Sequence, residues 1–554
     1  VIRPSKLALL GVLALTLVAC GGGPRGAAPP TRALGQTDIN PQPRENVRDG
    51  GDLRLPMQLM PSNFNYNQVD GPNGDAHTID VAVLPRVFND AADGGPELNT
   101  DYVTSADVTS TSPQVITYTI NPKANWSDGT PITWRDFQAE WQALNGSNPE
   151  YQIAGTTGYA DIASVARGRD DKQVVVTFAR PFGEWQSLFT PLMPTSLNSN
   201  PRAFNTGWRT GIPITSGPFT VQSIDQTKQT IILARDPKWW GTPPKLDRII
   251  LSVYQTTALP DALANNELDQ HGIGGQLDLL RRTQQNPNAV IRSAPGRFSF
   301  NVTLNGGAGA PLSDPRLRRA VAQGIDRAEI TRRMLGQEIP NPEPDGSHIY
   351  APGSKEYRDN AGVLPFDQAA ANRELDALGW IRQDAGRVKD GKPLNLRLVY
   401  AEDPSNTNMA KTVQNELAQI GVTVTLEQVD GNKLFPEYVN PGNFDMALMG
   451  WQSTSTPFSS SAGIYQRPLG NNVQQNYGRI GSPEIDALIA KGLAELDDTT
   501  RADIANQADR LIWEQAHSLV LFAVPGLVAA RKNVANFGAR GFADPDFINA
   551  GFVK

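Results

Sequence analysis

The chain has 554 residues, with 50 Lys and Arg against 57 Asp and Glu, a formal net charge of -7 with its 4 histidines neutral, and a single cysteine. One thiol excludes an internal disulfide, a two-cysteine zinc site and a CxxC redox pair, and net negative charge argues against a general nucleic-acid binder, which needs clustered Lys and Arg. With 39% apolar residues, 50 Gly and 43 Pro, the composition is that of a turn-rich globular protein with material for roughly two to four domains.

At the N-terminus, Arg3 and Lys6 precede an apolar run over residues 7–18 that ends in Leu17-Val18-Ala19-Cys20 and three glycines. About 12 residues is shorter than the roughly 20 that span a bilayer, but it suits the core of a signal peptide. The small residues before the cysteine resemble the lipobox of bacterial lipoproteins. That resemblance implies a signal peptide over 1–19, its removal, and a diacylglyceryl group on Cys20; two acyl chains grip a membrane far more firmly than one. An ordinary signal peptide with an incidental cysteine is the other reading. Residues 20–50, rich in Gly, Pro and Arg, cannot bury a core and suit a flexible linker.

A first strand is expected over 51–59, followed by the cluster Asn63-Phe64-Asn65-Tyr66, which reads either as a ligand-contacting edge or as an ordinary turn. Short Val, Ile, Thr and Phe-rich strands follow over 115–120, 174–178, 219–224, 230–235 and 249–254, with a helix over 134–144 behind a Thr133-x-x-Asp136 capping box. These elements predict one α/β or α+β lobe. The stretch RFSFNVTLNGG, near residues 295–305, is strand-like, runs into glycines and suits a hinge.

Beyond it the pattern changes. Helices are expected behind Ser313 or Asp314, behind Asp326, over 368–378 and after Ser482. Leu394, Leu396, Leu398 and Tyr400 alternate with other residues as a strand does, and Val422, Val424 and Leu426 repeat the pattern. Between them Met409, Val413, Leu417 and Ile420 mark one helix face, with Asn406 as cap and Gly421 at the C-terminal position. This is a βαβ unit. A third strand over 444–449 is almost continuously apolar, as expected for a sheet covered on both faces.

Catalytic signatures are missing. The chain has no GxxxxGK[ST], no HExxH and no GxSxG, and His77, His271, His348 and His517 are scattered. Gly272-Ile273-Gly274-Gly275 lacks the spacing of a phosphate loop. No enzymatic activity, cofactor or metal is expected, although paired carboxylates close in space cannot be read from sequence. The stretch that stands out is Gly450-Trp451-Gln452-Ser453-Thr454-Ser455-Thr456-Pro457, directly after the third strand. Ligands of open α/β sheets gather outside the carboxyl ends of the strands, and a glycine, an aromatic platform and small hydrogen-bonding side chains suit a polar-ligand cleft. A Ser/Thr loop beside a core tryptophan has the same composition.

Five segments in order, NWSDGTPITWRDF (125–137), SGPFTVQSID (216–225), LARDPKWWGTPPKLDRI (233–249), PLSDPRLRRAVAQGIDRAEI (311–330) and FDMALMGW (444–451), resemble the signatures of the family 5 extracellular solute-binding proteins. The similarity runs from about residue 50 to the C-terminus and is strongest to actinobacterial and mycobacterial oligopeptide-binding lipoproteins. It implies a periplasmic-binding-protein-like two-lobe α/β clamshell (type II, cluster C) with an extra domain inserted in the first lobe. The first lobe would comprise 51–95, 213–297 and 521–554, the insert 96–212, and the second lobe 298–520.

The resemblance also implies a function. The protein would capture oligopeptides or peptide-like solutes at the outer face of the cytoplasmic membrane, held there through Cys20. It would act as a monomer and deliver its ligand to an ABC permease driven by separate ATPase subunits. Expected ligand contacts are Trp451, Gln452 and Thr454, then Phe64, Asn65 and Tyr66, with Phe298 and Asn301 near the hinge. Many peptide-binding members carry an Asp three residues after the matching Trp, where it pairs with the ligand's α-ammonium. Here that position is Thr454, which forfeits the charge-assisted contact. The alternatives are a secreted lipoprotein hydrolase, a binding protein of the same fold for a glycoconjugate or metal chelate, and a sensory or cell-wall scaffold.

Overall fold

In the computed structural model, which describes residues 35–554 except 275, 337–341, 469, 471 and 472, the expected βαβ unit forms as Asn395–Ala401, Pro404–Gln419 and Thr423–Val429. The expected signal peptide, Cys20 and the start of the linker lie outside the described residues. The described part of that expected linker is not free: Val47 is fully buried, and Asp38 and Val47 form β-bridges to Ala539 and Val553. Apolar burial against the C-terminal segment overrides the Gly, Pro and Arg-rich composition. The two strands are parallel, and the helix buries Met409, Val413 and Leu417 against them at intervals of four. Its cap is Asp403 rather than Asn406: the Asp403 carboxylate accepts the N–H of Ser405 at 2.7 Å, because Pro404 starts the helix at its first turn. Asn406 instead donates its amide to the Ala401 carbonyl at 3.1 Å.

The third strand is Met446–Gln452, starting two residues later and ending three later than its apolar run suggests. Its partner extends it. Phe298–Leu304 pairs antiparallel with it to the last residue, Phe298 opposite Gln452 and Ser299 opposite Trp451. The sheet is completed by Ser518–Ala523, giving the order Thr423–Val429, Asn395–Ala401, Met446–Gln452, Phe298–Leu304, Ser518–Ala523. Leu398, Leu448, Val302 and Phe522 share one core with Trp513 of the helix Asp498–Glu514. The helices Pro315–Gln323, Arg327–Leu335 and Pro483–Leu493 start behind Asp314, Asp326 and Ser482, each of which caps with its side chain. Among the described residues no helix is long and apolar enough to cross a membrane.

The described residues build four further sheets of three or more strands, the smallest from Ile381–Gln383, Gly386–Lys389 and Lys392–Pro393. Asp52–Met57 lies parallel to Arg248–Val253 in a four-stranded sheet with Thr230–Arg235 and Phe219–Asp225. Leu53, Phe219, Leu251 and Phe552 share the core beneath it. Another four-stranded sheet, Val103–Thr111, Gln114–Ile120, Gln173–Phe178 and Ile162–Arg167, carries the helix Trp134–Leu144, and both halves of the Thr133/Asp136 capping box are made. Its own core centres on Tyr118, Phe137 and Phe189. A three-stranded sheet joins Gln270–Gly272, Gly526–Arg531 and Ala289–Ala294.

Two short connections link this three-stranded sheet to the five-stranded one: residues 295–297, between Ala289–Ala294 and Phe298–Leu304, and residues 524–525, between Ser518–Ala523 and Gly526–Arg531. They touch. Val524 donates its N–H to the Phe298 carbonyl at 2.7 Å, and a Cβ on Gly296 would lie 1.6 Å from the Val524 carbonyl oxygen, a space only glycine leaves. The division expected between 520 and 521 falls inside the strand Ser518–Ala523, whose residues 519–522 are core side chains of the five-stranded sheet.

Candidate functional site

The carboxyl end of the strand Met446–Gln452 opens on a narrow recess of about 50 Å3 lined by residues from four stretches of the chain, among them Ser299, Asn301, Asp345, Trp451, Thr454 and Tyr465. Trp451 is half-buried, and its ring stacks on Tyr477 at a centroid distance of 5.8 Å and an interplanar angle of 5°. Gly450 makes room for a second aromatic, since a Cβ there would come within 2.3 Å of the Phe298 ring. Phe298 is 36% exposed and sets its ring edge-on to Phe300 at 5.2 Å. Gln452 is exposed and faces the start of the helix Gly74–Val83: a Cβ on Gly74 would lie 4.0 Å from its Oε1.

Thr454 lies in the loop after the strand. Its hydroxyl is 2.5 Å from that of Ser460 and accepts the Thr456 N–H at 3.3 Å, so it orders the start of the helix Pro457–Tyr465 while lining the recess. Asn301 is 2% exposed; its amide donates to the Ser299 carbonyl at 3.4 Å, and its carbonyl oxygen has no partner.

The cluster at 63–66 is placed differently. Phe64 is 1% exposed and belongs to the core beneath the sheet that contains Asp52–Met57. Asn65 is fully buried, donating to the Phe204 carbonyl at 2.9 Å and accepting the Asn67 N–H at 3.1 Å. Neither lines the recess, because an apolar ring and a backbone-satisfied amide are both spent on holding this turn. Tyr66 is half-buried 6.2 Å from the His77 ring, and burial pushes its hydroxyl up to about 12.

Sequence reasoning missed Asp345, His348 and Tyr465. Asp345 sits in PDGSHIY, a turn-like stretch whose periodicity gives no warning of burial. Its carboxylate accepts the Ser299 hydroxyl at 2.9 Å and the Ser347 N–H at 3.2 Å, the second an Asx-turn contact. Burial pushes Asp345 up to about 7, against the pull of those hydrogen bonds. The two ring nitrogens of His348 face the Asp509 carboxylate at 2.8 Å and the Ser518 carbonyl at 3.1 Å.

Beside the recess, Arg297 joins the strand Phe88–Asp90 to the loop after Met446–Gln452. Its guanidinium lies 2.5 Å from Asp90 and 3.3 Å from the Ser453 carbonyl, while its own carbonyl accepts the Ser453 N–H at 2.6 Å. Next to it, Asp544 meets His77 at 2.7 Å and Arg86 at 3.3 Å. Burial pulls Asp544 up, but Arg86 and His77 outweigh it and hold the carboxyl well below the usual range. Donor atoms of His77, Asp90 and Asp544 lie within 4.8 Å of one another, the spacing of a cation site. Arg86 and Arg297 already neutralise the two carboxylates, so the group reads as an ion-pair network.

Comparison with known proteins agrees with this geometry. A family model described as bacterial extracellular solute-binding proteins, family 5 Middle, matches residues 97–472. The oligopeptide-binding protein OppA of Mycobacterium tuberculosis is 43% identical over 552 residues, covering 98% of this chain and 93% of the relative. A probable monoacyl phosphatidylinositol tetramannoside-binding protein, LpqW, from the same organism is 27% identical, covering 80% and 74%. Among solved structures, a periplasmic EDTA-binding protein, EppA, superposes with a TM-score of 0.84 at 25% identity, covering 94% of this chain and 99% of its own. The oligopeptide-binding protein AppA of Bacillus subtilis, in complex with a nonapeptide, superposes with a TM-score of 0.79 at 19% identity, covering 92% and 100%.

Proposed function

Because this chain belongs to the bacterial extracellular solute-binding proteins of family 5, we propose that it is the receptor of an ABC importer that captures oligopeptides between two closing lobes. The observation that carries this reading is the approach of Gln452, at the end of one lobe's strand, to Gly74, at the start of the other lobe's helix. An elongated ligand laid along that seam would touch both lobes at once and favour the closed state by its differential affinity for it. The 43% identity to OppA over almost the full chain supports a peptide as that ligand.

In this reading one lobe comprises 51–95, 213–297 and 524–554, the second 298–523, and 96–212 is an insert on the first. The shift of the boundary to 523 follows the strand Ser518–Ala523. Trp451, Gln452 and Thr454 supply the apolar wall and polar edge groups of the recess, and Phe298, outside its lining, adds an exposed ring beside it. Cys20 carries the diacylglyceryl anchor, and the monomeric receptor presents its cargo to a separate permease with its own ATPase subunits. The protein performs no covalent chemistry on the ligand.

Native mass spectrometry of the protein as purified tests the reading. The expected result is a set of adducts with peptide masses that are released on denaturation. Bare protein that also shows no thermal shift with a mixed peptide pool would contradict it.

A further inference from the structure

We propose that the recess beside Trp451 is a subsite for a primary ammonium group of the ligand, with Asp345 and Asn301 as its acceptors. The proposal rests on the peptide-receptor reading and names the chemistry that this chain adds to it.

Two buried acceptors line the recess without enough donors. Asp345 is 3% exposed and carries only the Ser299 hydroxyl and the Ser347 N–H on a carboxylate that offers about four lone-pair positions. Among the described residues no Lys or Arg makes an ion pair with it. The nearby guanidinium of Arg327 is turned to the backbone, donating to the Asp345 carbonyl at 2.7 Å and the Val520 carbonyl at 2.8 Å while lying over the Trp513 ring at 4.6 Å. Asn301, 2% exposed, leaves its carbonyl oxygen unpartnered. Ser299 and Asn301 are two apart on one strand, hence on the same face, and Trp451 stands directly opposite Ser299.

A buried carboxylate and a buried amide oxygen are stable only when donors reach them, and a donor with positive charge satisfies both needs. An ammonium offers three N–H groups in a compact shape, and an indole face attracts the same charge. An anion would meet Asp345 instead. His348, which also lines the recess, does not relieve this, since both its ring nitrogens are engaged by Asp509 and Ser518. The hydroxyl of Thr454 sits at the edge of the same recess, so the charge missing at that position is present deeper in the site.

An ammonium can come from the peptide N-terminus or from a lysine side chain, and three probes separate the sources: tetra-alanine, N-acetyl-tetra-alanine amide, and N-acetyl-Ala-Lys-Ala-Ala amide. Isothermal titration of the purified protein should show at least one ammonium-bearing probe binding more tightly than the neutral one. Tetra-alanine leading assigns the α-amine; the lysine peptide leading assigns the side chain. Asp345→Asn, nearly isosteric, should weaken the leading probe by at least about tenfold while the neutral probe changes by less than about twofold.

Because Asp345→Asn also alters a buried network, the wild-type protein supplies an independent readout. The groups facing Asp345 are Ser299, Arg327, His348, Tyr357, Asp359, Tyr465 and Asp509. Burial holds Asp345 at about 7, so the preference for the ammonium probe should grow between about pH 6 and pH 8 as the carboxylate ionises. Equal weakening of all three probes, no effect of Asp345→Asn, or a preference flat with pH would overturn the proposal. If none of the probes binds while a mixed peptide pool does, this subsite is also rejected; if the pool is silent too, the peptide-receptor reading fails with it.

Discussion

Glu184 and Ser459, 275 positions apart, are joined by a hydrogen bond in which the Ser459 N–H donates to the Glu184 carboxylate at 2.6 Å. Phe458 donates to the same carboxylate at 3.3 Å, and Arg501 stands 3.9 Å away. No side chain next to the helix Pro457–Tyr465 caps it. Its N-terminal cap is therefore supplied by Glu184, from the loop after the strand Gln173–Phe178, where an anion also complements the helix dipole. Gly183, one residue earlier, donates its N–H to the Leu493 carbonyl at 2.7 Å. These contacts lie far in sequence from the connections at 295–297 and 524–525, and they tie residues 183–184 to the helices Pro457–Tyr465 and Pro483–Leu493.

Glu184→Ala removes the cap and the bridge at once. We expect a loss of about 1 to 2 kcal/mol in stability, read as a lower thermal midpoint. We also expect weaker ligand binding and a larger radius of gyration in solution scattering. An unchanged scattering profile with the same stability loss would mean that the contact serves the helix alone.

Trp451→Ala removes the aromatic wall and its stack on Tyr477. Because Trp451 is only half-buried, the cost should fall on binding more than on folding. Truncating a tryptophan at the centre of a binding surface costs about 2 kcal/mol or more, so peptide affinity measured by calorimetry should drop by roughly thirtyfold. The thermal midpoint of the ligand-free protein should move little.

Gly296→Ala tests the contact between the two connecting segments. Its Cβ would be forced to within 1.6 Å of the Val524 carbonyl oxygen, a backbone atom that cannot rotate away. Overpacking against backbone should cost at least about 2 kcal/mol, visible in chemical denaturation.

Two buried groups give opposite pH dependence. Burial, aided by the charges of His348 and Arg318, lowers His517 to about 3, below its unfolded value near 6.5. The unfolded chain therefore binds the extra proton between those values, and stability is full above about pH 6.5 and falls as pH drops, by at most about 1.4 kcal/mol per unit. Asp345 is raised instead, so its contribution favours the folded state at low pH and fades as pH climbs from the unfolded value toward about 7. Thermal midpoints measured across this range should show a flatter acid limb for His517→Asn. Asp345→Asn should gain stability relative to the wild type near pH 8 and lose that advantage near pH 4.

What could be read from the residues was what is local. The βαβ unit follows from Leu396, Leu398, Met409, Val413 and Leu417, whose spacing fixes which face is buried whatever lies beyond. The capping box at Thr133 and Asp136 is closed within four residues. The end of the strand Met446–Gln452 was not readable in the same way, since it is set by pairing with a strand about 150 positions earlier. Phe64 and Asn65 carry the chemistry of a binding edge and were misleading because burial depends on what packs over a turn. Asp345 was invisible for the converse reason: its turn sequence looks exposed, and only the approach of Ser299 and the elements bearing Tyr465 and Arg327 encloses it.

The most direct measurement is small-angle scattering of the protein, stripped of any retained ligand by unfolding and refolding, before and after addition of a mixed peptide pool. A receptor whose lobes shut around peptide should shrink in radius of gyration and gain in thermal midpoint together. A profile and a midpoint that both stay unchanged across the pool would contradict capture between the lobes.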